Sequence, residues 1–112
     1  MNTQLAHVLE QFKHCWFRTI ASDQFVGQIA KCHFVQNKLT INFTRIVRVA
    51  EDEEVRWRAV ENDTHPDYVS HFDECKIVRI SDQTIEVTSL LGDTIIFTSE
   101  PNLVETIEKL LR

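Results

Sequence analysis

The stretch HPDYVSHFDEC, residues 65 to 75, gathers two histidines, three acids and a cysteine. His65, Asp67, His71, Asp73 and Cys75 carry nitrogen, oxygen and sulfur atoms of the kinds that zinc or a harder divalent ion takes as ligands. The spacing argues against such a site. Structural zinc sites are built from close ligand pairs such as C-x-x-C or H-x-x-x-H, and His65 and His71 stand too far apart, with no second pair elsewhere. The segment is therefore expected to be a polar connection in which His65-Pro66-Asp67 turns the chain and Tyr68, Val69 and Phe72 anchor it. No metal and no cofactor is expected.

Nucleophilic catalysis needs a thiol or hydroxyl beside a base, and Cys32-His33 is the nearest approach to that arrangement. Neighbouring residues of a strand point to opposite faces, so the two cannot hydrogen-bond through their own strand. A buried thiol and an exposed imidazole are expected. The chain has no G-x-G-x-x-G, P-loop lysine, G-x-S-x-G or H-E-x-x-H, and it leans away from being an enzyme.

Two polar and aromatic groupings remain. Gln28, Arg45 and Arg58 fall on an otherwise apolar strand face and form a candidate ligand-binding set for an anionic group. The plainer reading has the two arginines at the sheet margin, or paired with acids from a loop. On the other face Phe25, Ile46, Arg48 and Trp57, with Ala59, make a candidate interface, since aromatic residues and arginine dominate protein contacts. If a helix covers that patch, it is core.

The elements that would position these residues follow from periodicity. Leu5, Val8, Leu9, Phe12, Cys15, Trp16 and Ile20 recur at spacings of three and four, which predicts an amphipathic helix over Thr3 to Ile20, capped by Asn2 or Thr3. From Asp23 onward the period is two. Strands are predicted at Gln24 to Val35, Lys38 to Ala50, Val55 to Glu61, Cys75 to Ser81, Thr84 to Leu91 and Thr94 to Ser99. Gln36-Asn37, Asp82-Gln83 and Gly92-Asp93 read as two-residue turns. They pair Phe34 with Leu39, Gln28 with Arg45, Val26 with Val47, Ile80 with Ile85, Val78 with Val87 and Arg79 with Glu86. An acidic loop, Glu51 to Glu54, places Arg48 opposite Trp57 and Arg45 opposite Val60. The terminal SEPNLVETIEKLLR is a second helix, with Ser99 or Asn102 as cap and Pro101 in its first turn.

The fold class expected is α+β. It comprises an N-terminal amphipathic helix, a strongly bent antiparallel sheet of about six strands in two three-stranded meanders, and a C-terminal capping helix. At 112 residues the chain is expected to be one domain, with no need of staples. A formal net charge of -5 disfavours nucleic acid, whose affinity for proteins rests on lysine and arginine. No apolar run reaches the 18 or so residues of a membrane span. Three scattered cysteines and a polar start without a signal-like pattern point to the cytoplasm, with thiols reduced.

These readings favour a non-catalytic protein-interaction or adaptor module, expected to be a homodimer. The alternatives are a small anionic-ligand-binding protein or modest enzyme using Gln28, Arg45 and Arg58, and an immunity or inhibitor protein with acidic loops.

Overall fold

Cys15 and Phe17 are buried, while Trp16 between them is half-buried in a second cluster, so the stretch that carries them alternates. It is a strand, β1 (His14–Arg18), and this corrects the expected Thr3 to Ile20 helix over these residues, while Thr3 to Val8 lie outside the described residues. The computed structural model describes residues 9–36, 38–51, 57–61, 69–72 and 75–112, with backbone alone at 35, 57–61 and 69–72. Within the expected helix Leu9 is the one described residue with helical backbone. The error has a physical source. A strand covered on both faces is apolar on both, so it loses the polar alternation that marks a half-exposed strand. Its residues then combine with Leu9 and Phe12 into spacings of three and four.

Among the described residues, β1 is followed by β2 (Gln24–Val35), β3 (Lys38–Glu51), β4 (Trp57–Glu61), β5 (Val69–Phe72), β6 (Lys76–Ser81), β7 (Thr84–Thr88), β8 (Thr94–Thr98) and a helix, α1 (Pro101–Leu111). All eight strands belong to one antiparallel sheet with the order β4-β3-β2-β1-β8-β7-β6, and β5 pairs with β3. The sheet is open and not strongly curled, which corrects the strong bend expected of it. β1 supplies the reason: it pairs with β2 on one side and β8 on the other, and so joins the two meanders into one surface. The second added strand, β5, lies in what reads as a connection, and its four residues are too few to show a period.

Most of the first hairpin keeps its expected register, including Phe34 with Leu39, Gln28 with Arg45 and Val26 with Val47. A local irregularity pairs Ile29 with Phe43, one residue out of the expected register, which recovers at Lys31. β6 and β7 are slipped by one, so Ile77 faces Val87, Val78 faces Glu86 and Arg79 faces Ile85. The expected Arg79–Glu86 pair is therefore not formed. An irregularity between Arg79 and Ser81 absorbs the slip, and it leaves Val78 and Ile80 exposed. β4 is displaced further: Arg48 pairs with Glu61, Ala50 with Arg58 and Glu51 with Trp57.

α1 starts at Pro101, whose fixed φ suits a first turn, after Glu100, which makes no side-chain cap. The capping expected from Ser99 or Asn102 is not made, and threonine hydroxyls fix the chain just before the helix instead. Thr98 Oγ1 accepts from the Glu100 N–H at 3.0 Å, and Thr84 and Thr98 hydroxyls meet at 3.2 Å. Ile107, Leu110 and Leu111 bury against Val26, Val47 and Val49. On the opposite face Leu9 and Phe12 join Phe43, Leu39, Ile85 and Phe97 in the larger core, with the Phe12 and Phe97 rings 6.2 Å apart. Gly27 makes room for this packing. A Cβ there would stand 2.7 Å from the Phe43 ring.

Candidate functional site

The face under α1 is ordered by strand register into rows. Arg45, Gln28, His14, Thr98 and Thr84 occupy one row across β3, β2, β1, β8 and β7. Paired residues of antiparallel strands project to the same side, so this row is a polar band beside the apolar seat of the helix. Glu108 of α1 reaches it, with Oε1 3.2 Å from His14 Nε2. That nitrogen is buried and makes no hydrogen bond, so the contact is one of proximity without hydrogen-bond alignment.

The second row sets Trp16 between Val26 and Ile96, and the third sets Arg18 between Gln24 and Thr94. Trp16 Nε1 donates to Gln24 Oε1 at 2.7 Å and so links the two rows. With Leu103 and Thr106 of α1 above, Trp16, Ile96, Arg18, Gln24 and Thr94 line an open-sided cleft of about 490 Å³.

The loops at this end of the sheet form a matched pair. In residues 19–23 Thr19 N–H donates to Asp23 O at 2.9 Å and Ser22 N–H to Thr19 O at 3.0 Å. In residues 89–93 Ser89 N–H donates to Asp93 O at 2.8 Å and Gly92 N–H to Ser89 O at 3.0 Å. Each loop adds a hydroxyl clamp, from Asp23 N–H to Thr19 Oγ1 and from Asp93 N–H to Ser89 Oγ. Each has a positive φ at its fourth residue, 71° at Ser22 and 101° at Gly92. The expected two-residue turn at Gly92-Asp93 is thus a five-residue loop, and its clamp holds Leu90 and Leu91 out in solvent. Ile20 is exposed on the neighbouring loop.

The residues singled out by sequence separate into groups. Gln28 and Arg45 are paired and half-buried in the polar row. Arg58 pairs with Ala50, away from Arg45 in register, and its side chain lies outside the described residues, as does that of Trp57. Ile46 is buried in the larger core; Phe25 packs against that core and stacks on Phe17 at 5.7 Å. Arg48 pairs with Phe25 and is half-buried. Of the opening segment, His65, Asp67 and Asp73 and the His71 side chain lie outside the described residues, while Cys75 is buried. No group of His, Cys, Asp and Glu among the described residues is placed to hold a metal ion.

Burial holds two of the three thiols in the protonated form. Burial, then the charge of nearby Cys32, drives the Cys15 thiol far above its ordinary range, against a smaller lowering from the Gly27 backbone. Burial, with Glu10 adding to it, pushes Cys32 up to about 12. Both are therefore protonated and inert near neutrality. His33 is exposed, 3.8 Å from Glu10, so the adjacent Cys32-His33 pair divides between faces.

No family model matches this chain, and no curated protein or solved structure is significantly similar to it. The residues missed by sequence reading, His14, Trp16, Arg18, Ile20, Leu90 and Leu91, belong to β1 or to the paired loops. The one signal was the likeness of TIASD to SLLGD: a hydroxyl residue, two apolar ones, a small residue and an aspartate.

Proposed function

We propose that this chain is a non-catalytic protein-interaction module of the cytoplasm that pairs with a second copy of itself through the loop tip. The carrying observation is that Ile20, Leu90 and Leu91 are 65%, 69% and 76% exposed on two loops tied to each other. A single exposed leucine is ordinary, whereas three large apolar side chains on adjoining, clamped loops make a patch. The clamps also favour association, because an ordered loop loses little further freedom on binding. One observation supports a non-catalytic reading: burial keeps the Cys15 and Cys32 thiols protonated.

The tip is preferred to the Phe25, Ile46, Arg48 and Trp57 set because Ile46 is already core. The test is solution mass for the wild type and for Leu90→Ser combined with Leu91→Ser. A dimer that becomes a monomer, with an unchanged far-UV spectrum, supports the reading. A monomeric wild type, or a dimer that survives both changes, contradicts it.

A further inference from the structure

We propose that the cleft between α1 and the β1–β8 edge of its seat binds a small monocarboxylate with an apolar body. This stands apart from the loop tip, since none of the cleft residues is Ile20, Leu90 or Leu91. The cleft's volume of about 490 Å³ lies in the range of small-molecule sites. Its walls divide by chemistry. Trp16, Ile96 and Leu103 give an aromatic and aliphatic surface, while Arg18 and Gln24 stand side by side in strand register.

The polar side is arranged to donate. Arg18 has no ion-pair or hydrogen-bond partner among the described residues, so its guanidinium is available to a ligand. Gln24 is fixed by the Trp16 indole: an indole only donates, so it holds the amide oxygen and leaves both amide hydrogens to be given elsewhere. One cation beside one amide donor matches the two oxygens of a carboxylate, which guanidinium recognises in a planar fork. A dianionic phosphate group would meet only a single compensating charge. The apolar remainder of the ligand then lies on Trp16 and Leu103, where burial of its surface supplies the affinity.

Titration with octanoate tests this, using calorimetry and the Trp16 indole N–H resonance, assigned by its persistence in Trp57→Phe. Octanol serves as the uncharged probe. Octanoate is expected to bind and shift the Trp16 resonance, and Arg18→Gln to weaken it about tenfold, as loss of a charged hydrogen bond does, while leaving octanol binding unchanged. Leu103→Trp is expected to fill the cleft and remove both. An unshifted Trp16 resonance, or equal octanoate affinity in the wild type and Arg18→Gln, overturns the proposal.

Discussion

The Ile20 N–H donates to Asp93 Oδ1 at 3.0 Å and so binds together two loops 73 residues apart in the chain. The same aspartate closes its own loop through its backbone carbonyl and N–H. Asp93→Ala removes the acceptor for Ile20 and leaves the backbone clamps in place. It is expected to cost about 1 kcal/mol, the net worth of one such bond, in urea unfolding. Hydrogen exchange at the Ile20 amide should accelerate while exchange within β1 does not change.

The contact between Gly27 and Phe43 is close enough to tolerate no methyl group. A Cβ would lie 2.7 Å from two ring carbons, and Phe43 is 1% exposed, with no room to move aside. Gly27→Ala is expected to destabilise by roughly 1–3 kcal/mol through overpacking, measured as a lowered urea midpoint. Gly27→Ala combined with Phe43→Leu should recover part of that loss, because the smaller side chain vacates the space.

The buried thiols give a pH dependence of known sign. Cys32 is raised to about 12 in the folded chain from an ordinary value of 9.0, so below pH 9 both states keep the proton and stability does not change. Between pH 9 and about 12 the unfolded chain loses it and the folded one does not, so stability falls as pH rises, by at most about 1.4 kcal/mol per unit for that thiol. Cys15, raised in the same direction, adds to the fall. Cys32→Ala and Cys15→Ala should flatten the alkaline limb in chemical unfolding followed by fluorescence. Alkylation of both thiols at pH 8 should require unfolding.

The sequence revealed those parts of the fold in which two local signals agree. The β2–β3 hairpin keeps its register at Phe34–Leu39 and Val26–Val47 because its turn length and its apolar pattern agree. α1 was legible from its apolar stripe and Pro101. β1 was not, because Trp16 is half-buried beneath α1 while Cys15 and Phe17 are buried in the larger core, and a strand apolar on both sides has no period of two in its polarity. The consequence reached the site directly. With residues 14 to 18 read as helix, the polar row through His14 and the cleft through Trp16 and Arg18 had no surface to belong to. The loop tip was hidden for a different reason: hydrogen bonds from Thr19, Ser89 and the two aspartates, which no hydrophobic pattern reports, fix where β7 stops and Leu90 emerges.

Everything proposed for the tip and the cleft depends on residues 14 to 18 being the strand that joins β2 to β8. Backbone nuclear Overhauser contacts measure this directly in solution. The account predicts cross-strand contacts from residues 14 to 18 to both 24–28 and 94–98. Consecutive amide-to-amide contacts through residues 14 to 18, with no cross-strand partners, would contradict it.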